Sequence, residues 1–324
     1  MQTRLTQVLG IEHPVMLAGM GGVAYAPLVA AVSAAGGFGC LGASTMSATT
    51  MVAEIAATRA LTDKPFGVDL LTAMPGGMAE QVDKIIEGGA SVFVAGLGVP
   101  VEVVEQCHRA GLLVVNMCGK VDHARRAVDA GCDIVVAQGT EAGGHIRGTT
   151  GLLALLDEVL DAVEVPVLAA GGIGSARAMA AALAAGADGV RVGTRFVATA
   201  ESGSHPAYIQ ALVEASAADT VITTAFSGMW PDAPHRALRS AVTAMEAFGG
   251  DTVGEMDLGP ARMPIPKGAV PSPTRDTTGA IPAMALYAGE SVGNVVRVQS
   301  AAEVVRELAE GAERLLRGPG ITTL

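Results

Sequence analysis

Residues 130–148 read Ala-Gly-Cys-Asp-Ile-Val-Val-Ala-Gln-Gly-Thr-Glu-Ala-Gly-Gly-His-Ile-Arg-Gly. Three signals succeed one another in this stretch. Gly131 stands where a glycine caps the end of a helix in left-handed backbone. Asp133-Ile134-Val135-Val136 is the β-branched run of a strand buried on both faces, as parallel strands are. The glycines that follow let backbone approach a ligand where a side chain would collide. His145 is the one imidazole of that loop and the first candidate for a proton-transferring group. Its plainer reading is a loop histidine that caps a helix or meets solvent.

The same unit recurs on either side. Strand-like runs stand at Val15–Ala18, Phe38–Leu41, Phe66–Leu70, Val92–Ala95, Leu113–Met117, Ile134–Ala137, Val167–Ala170 and Gly189–Val192, each followed by an Ala-rich segment of helical composition. Glycines at 36–37, 88–89, 111, 131 and 186 precede strands as helix caps do. Eight consecutive strand–helix units predict an α/β chain folded as a (β/α)8 TIM barrel, which needs about 250 residues in its simplest form. The alternative is an open doubly wound sheet. Against it, the first strand is followed by Gly19-Met20-Gly21-Gly22 rather than a G-x-G-x-x-G dinucleotide fingerprint.

From Ala217 to about Asp276 the character changes. Trp230-Pro231-Asp232-Ala233-Pro234, Gly249-Gly250 and a Pro-rich stretch over 260–273 surround a helix expected at Ala241–Phe248. This is read as a cap domain inserted over the barrel mouth. Helical pattern returns after Ala283, with Ala302–Leu308 amphipathic and expected to pack back on the barrel. The expected division is a barrel over 1–216, a cap over 217–276 and a C-terminal helical segment over 277–324.

Composition sets the outer bounds. With 324 residues, 50% hydrophobic and 16% charged, the chain buries a large core and is not disordered. A net charge of −11 opposes nucleic acid and anionic lipid alike. Val15–Ala53 carries no charge, yet Pro27 and Gly36-Gly37-Phe38-Gly39 break it and it is dominated by Ala and Gly, so it reads as buried strand–helix–strand rather than a membrane span. Glu12, His13 and Pro14 interrupt any leader-like apolar run, and a cytoplasmic protein is expected. Cys40, Cys107, Cys118 and Cys132 form no C-x-x-C pair and have no histidines at ligand spacing; buried thiols and no metal are expected.

In such barrels a phosphate is held by the loops after strands seven and eight. Here those loops are Ala170-Gly171-Gly172-Ile173-Gly174-Ser175, opening an Ala-rich helix, and Gly193-Thr194-Arg195-Phe196. Backbone N–H groups, a helix start and the Thr194 hydroxyl can converge on phosphate oxygens. Taken singly, each glycine pair is what any tight turn needs. Ala18-Gly19-Met20-Gly21-Gly22 offers backbone with little side-chain bulk, as a flat ring across the mouth requires, and flavin mononucleotide fits both features. Gln138 can bond the ring edge through its amide, or simply seal the rim.

With these residues assembled, the chain resembles the nitronate monooxygenase family, FMN-containing (β/α)8 barrels with an added cap. The matching stretches are His13-Pro14-Val15 with Gly19-Met20-Gly21, Lys64-Pro65-Phe66-Gly67-Val68, Ala137-Gln138-Gly139 with Glu141-Ala142-Gly143-Gly144-His145, Ala169-Ala170-Gly171-Gly172-Ile173, Val192-Gly193-Thr194-Arg195-Phe196, and Tyr287 to Gly293. The resemblance implies that Met20, Gly21 and Gly22 contact FMN, that Gln138 borders the ring, that Gly171, Gly172, Gly193 and Thr194 hold its phosphate, and that Asp69, Gly143 and Gly144 also belong to the cofactor site. It implies that His145 is the catalytic base, removing the α-proton of a nitroalkane before FMN takes electrons and O2 enters the product to give a carbonyl compound and nitrite.

Three departures are visible. Asp69 stands where the family commonly has Asn; an ionised carboxylate there opposes a reduced flavin, so it must be protonated, paired or turned away. Ile146 separates His145 from Arg147-Gly148, and the cap carries a longer segment from Phe226 to Arg236. Two rivals keep the barrel: an NAD(P)H-dependent FMN enoyl-thioester reductase, and a phosphate-ligand barrel without redox turnover. The expected partners are a small-molecule substrate and O2, with room left for a homo-oligomer. Of the other histidines, His108 and His123 are expected to face solvent, His205 to cap a helix, and His235 to come over the flavin if the cap brings it there. Glu141 orients His145 only if its loop folds back.

Overall fold

A computed structural model describes residues 1–72, 77–228, 230–257 and 262–318. Of the stretches singled out above, Met229, residues 258–261 and residues 319–324 lie outside these residues. Fourteen strands occur among them: β1 (Val15–Leu17), β2 (Gly39–Gly42), β3 (Phe66–Leu71), β4 (Val92–Gly96), β5 (Leu113–Cys118), β6 (Ile134–Gln138), β7 (Gly144–His145), β8 (Val167–Ala170), β9 (Gly189–Val192), β10 (Thr220–Thr223), β11 (His235–Leu238), β12 (Thr252–Asp257), β13 (Arg262–Pro266) and β14 (Thr278–Gly279).

Eight of these strands form the barrel, in the order β1-β9-β8-β6-β5-β4-β3-β2, every pair parallel. The ring closes where Leu17 N donates to Phe38 O at 2.9 Å and Phe38 N to Val15 O at 2.9 Å. The eight runs read from sequence are these eight strands, within a residue at each end.

Alternation along each strand sorts the side chains into two layers. Met16, Phe38, Cys40, Val92, Val94, Val115, Ile134, Val136 and Leu168 form one buried cluster inside the barrel. Leu5 and Leu9 of the first helix, Arg4–Leu9, belong to this cluster and plug the end away from the site. Val15, Leu17, Val68, Phe93, Val135 and Val190 face outward into the larger layer beneath the helices. Since Ile134 and Val136 face in, period-two geometry brings Gln138 inward at the mouth, and it likewise brings Asp69 of β3 inward.

The eighth helix does not directly follow its strand. After β9 come only a short helical turn, Thr194–Val197, and the helix Pro206–Val213, and then the segment that carries β10 to β14. Ala301–Arg317 packs between the helices Ala176–Ala184 and Ala26–Ala34 and so fills the eighth place. It is held close by a glycine: a Cβ on Gly311 would stand 2.5 Å from the Cβ of Ala176. Its start is fixed by a capping box between Ser300 and Glu303.

Within the inserted segment, β10 and β11 form an antiparallel sheet whose third strand is β7. His235 pairs with His145, and Arg236 with Gly144. The loop after β6 is therefore an edge strand of this sheet. β12, β13 and β14 make a second antiparallel sheet, and the helix Arg239–Ala247 stands between β11 and β12 in the chain. Among the described residues no helix is long and apolar enough to cross a membrane.

Candidate active site

The parallel strands all end at one mouth, where a cavity of about 230 Å³ opens. Met20, Gly21, Asp69, Gln138, Gly143, Gly144, His145, Gly171, Gly172, Gly193 and Thr194 all line it. Gly22 is not among its walls. It turns the chain at φ +79°, and a Cβ there would lie 3.1 Å from the Ser272 carbonyl, so its role is a close backbone approach beside the mouth.

On one side the walls are built of backbone. Gly171 and Gly172 take φ +107° and +69°, conformations a side chain resists. Among the described residues the N–H groups of Gly172, Ile173, Gly193 and Thr194 donate to no protein acceptor. Ser175 caps the helix Ala176–Ala184 by accepting from Ala178 N, so that helix starts at the same place. The Thr194 hydroxyl accepts from Gly289 N at 3.0 Å, which leaves its own proton to donate outward. Arg195, buried just behind, donates to Gln299 at 2.9 Å and Glu307 at 2.8 Å and ties this turn to the last helix. Free N–H groups, a helix start and a free hydroxyl proton make an anion cradle.

On the other side stands His145. Trp230 stacks on its ring at 5.1 Å, His235 lies at 5.1 Å and Tyr287 at 5.7 Å. His145 Nε2 is shielded from water and has no hydrogen-bond partner among the described residues. Burial, with a contribution from His235, lowers its pKa from 6.5 to about 4, so the ring is neutral near pH 7. His235 is spent structurally: Phe226 N donates to its Nε2 at 3.3 Å, which assigns the proton to Nδ1, 3.0 Å from the Ala233 carbonyl. It packs beside His145, fully buried, and both of its ring nitrogens are engaged.

Other expectations change in detail. Gln138 Nε2 donates to the His145 carbonyl at 3.2 Å, so this amide steadies the histidine loop while lining the mouth. Glu141 does not orient His145. Both of its carboxylate oxygens accept from Leu152 N, at 2.9 and 3.0 Å, at the start of the helix Leu152–Leu160. Asp69 is paired, through an ion pair with Arg191 that is buried on both sides. Burial pushes the Asp69 carboxyl up to about 6, with Arg191 pulling the other way. His205 caps the helix Pro206–Val213 by accepting from Ala207 N at 3.0 Å. His108 is exposed beside Asp133 and His123 is half-buried. All four cysteines are free and buried.

Sequence reasoning passed over Arg191 and Tyr287 as site residues. A lone charge in each of two apolar strands, Phe66–Leu71 and Gly189–Val192, was a usable signal, because buried charges need partners. For Tyr287 the sequence offered only the matching stretch that contains it.

With this geometry in place, comparison with known proteins is decisive for ancestry: residues 2–78 and 71–311 match the family model described as nitronate monooxygenase. The chain belongs to the nitronate monooxygenase family. It is an oxidoreductase of that family with the TIM-barrel fold. Among similar proteins, one from Mycobacterium tuberculosis (strain ATCC 25618 / H37Rv), named (3aS,4S,5R,7aS)-5-hydroxy-7a-methyl-1-oxo-octahydro-1H-indene-4-carboxyl-CoA dehydrogenase, is 40% identical over 74% of this chain and 67% of its own length. The solved structure of FabK from Thermotoga maritima superposes with a TM-score of 0.81 at 31% identity, covering 98% of each chain. That of nitroalkane oxidase from Streptomyces ansochromogenes gives 0.77 at 32%, covering 97% of this chain and 100% of that one.

Proposed function

We propose that the chain binds FMN across the barrel mouth and uses it to oxidise alkyl nitronates and nitroalkanes with O2, His145 serving as general base. The observation that carries the reading is an imidazole on the cavity wall, neutral at physiological pH and with an unspent nitrogen. The residues present fit the cofactor. Four free N–H groups, those of Gly172 and Ile173 just before a helix start and those of Gly193 and Thr194 after β9, suit its phosphate. The first loop faces the cavity with Gly19, Met20 and Gly21 and packs closely on Thr45, where a Cβ on Gly21 would stand 2.9 Å from that side chain. The orphaned Nε and Nη1 of Arg191 offer donors to a polar heterocycle.

Gly172, Ile173, Gly193 and Thr194 would hold the phosphate, and Met20, Gly21 and Gln138 would border the ring. FMN supplies the redox chemistry, accepting substrate electrons and passing them to O2. His145 takes the proton from carbon. Its low pKa makes the free base available but the proton transfer less downhill than for an ordinary histidine. The developing nitronate, an anion beside the new imidazolium in a dry cage, offsets that deficit. Trp230 and Tyr287 exclude water from the ring and limit the width of the substrate.

The test is O2 consumption by FMN-loaded enzyme with a nitroalkane and with its preformed nitronate. His145→Asn should lose roughly 100-fold or more with the nitroalkane, within the range for general-base removal, and far less with the nitronate. Equal losses would place the base elsewhere. A second reading applies the same base to a carbon acid activated by a thioester, and the 40% identical CoA dehydrogenase favours it. Rapid anaerobic bleaching of the flavin by NADPH or by a CoA thioester, with no turnover of nitronate, would support that reading instead.

A further inference from the structure

Arg191 carries a donor surplus that the protein does not use. Its side chain is 2% exposed and that of Asp69 5%. The contact between them is single: Arg191 Nη2 donates to Asp69 Oδ2. Nε and Nη1 are buried and have no partner among the described residues. A buried N–H left without an acceptor loses its hydrogen bond to water and gains nothing in return. Three such hydrogens on one guanidinium are tolerable only if something outside the protein accepts them.

The geometry around the pair says where that acceptor lies. Arg191 and Asp69 both line the mouth cavity. Gly19 and Gly96 pass over the carboxylate without side chains; a Cβ on Gly19 would fall 2.2 Å from the Cβ of Asp69, and one on Gly96 would fall 3.2 Å from Oδ1. Arg191 projects from β9 two residues before Gly193, deeper in the barrel than the anion cradle. The neighbouring Cys40 is kept a neutral thiol by burial, so Asp69 is the anion facing Arg191.

We propose that Arg191, tethered by Asp69, donates its Nε and Nη1 hydrogens to the carbonyl and imine acceptors of the bound flavin ring and thereby favours the two-electron-reduced, negatively charged form. The assignment rests on the flavin reading above. It reverses the electrostatic objection to a carboxylate in this strand. Asp69 acts as the counter-charge that lets an arginine stand under the ring, and the net field at the ring comes from the cation that reaches it.

The test is the midpoint potential of FMN bound to the intact protein, measured against reference dyes, with Kd for FMN and for riboflavin. The double variant Arg191→Met/Asp69→Asn leaves no buried charge unpaired. It should lose about tenfold in its preference for reduced over oxidised flavin, a fall of about 30 mV for a two-electron couple. Arg191→Lys should keep most of the potential. Asp69→Asn alone removes the counter-charge and should raise the potential, which tests the sign independently if the double variant fails to fold. Affinity for FMN and riboflavin should fall together in the double variant.

An unchanged potential in the flavin-loaded double variant, or a lowered one in Asp69→Asn, overturns the assignment. Loss of FMN affinity with riboflavin unaffected overturns it too, by placing Arg191 on the phosphate. Failure of the wild-type chain to take up any flavin overturns the cofactor reading itself and is seen before any variant is made.

Discussion

The acidity of His145 is where the structure departs most from what an imidazole on a glycine loop suggests. Burial and His235 bring its pKa from 6.5 to about 4. At 1.36 kcal/mol per pH unit, the imidazolium is disfavoured by about 3 kcal/mol. Activity that needs the free base should therefore have an acid limb between about pH 4 and 5, and kcat/KM for a neutral nitroalkane should stay flat from pH 8 down to about 5. The same shift links to stability. The folded pKa lies below the unfolded one, so the contribution is whole above pH 6.5 and is lost as pH falls toward 4.

Two assays read this directly: a kcat/KM profile with FMN-loaded enzyme, and urea unfolding at pH 7 and pH 4.5 for wild type and His145→Asn. The variant should lack about 2 kcal/mol of the wild-type loss between those pH values. Trp230→Ala removes the stacked ring at 5.1 Å, readmits water and should return the acid limb toward 6.5 by about one pH unit. A wild-type inflection at pH 6 to 7 that disappears in His145→Asn would refute the argument, because it would mean the ring is solvated in solution.

Three further outcomes follow from separate parts of the fold. Arg236 bonds Thr140 O at 2.9 Å and Thr220 Oγ1 at 3.0 Å and pairs with Glu290 at 3.0 Å, so Arg236→Ala should cost about 2–3 kcal/mol in urea unfolding; a loss under about 0.5 would show that these contacts do not hold the cap sheet to the barrel loop. Gly171→Ala puts a Cβ 3.0 Å from Ala142 N at φ +107°, and the resulting strain of about 1–3 kcal/mol should weaken FMN binding by roughly tenfold in a fluorescence titration. The four buried thiols, with Cys107 pushed up to about 11 and Cys118 and Cys132 to about 12, should resist a disulfide-exchange reagent at pH 8 in the native protein and all react once it is unfolded.

The legible part of the site follows from the legible part of the fold. Once eight strands are counted, inward and outward faces follow from period two, and the loops after the last two strands become the anion cradle by position alone. Asp69 shows the limit of that reasoning. Sequence could say that a carboxylate in β3 needs a partner, and Arg191 could be seen as a second lone charge, but their meeting across 122 residues depends on the register at which the cylinder closes. Glu141 shows it from the other side. Four residues from His145 it looks like an orienting group, yet the chain turns it toward Leu152 N, which the start of a helix leaves without an intrahelical partner.

Local features were readable in the chain: strand positions from β-branched runs, helix ends from glycines, the backbone-only loops of the mouth, and the one histidine among them. Those features depend on φ preferences and on burial of a repeating apolar face, which neighbouring residues settle between themselves. Folding in three dimensions settled the rest: Trp230, His235 and Tyr287 enclose His145, Arg191 keeps unspent donors beneath the mouth, and Ala301–Arg317 serves as the eighth barrel helix. Each of these joins segments tens to hundreds of residues apart, and their encounter is fixed by barrel closure and strand register rather than by any residue's own propensity.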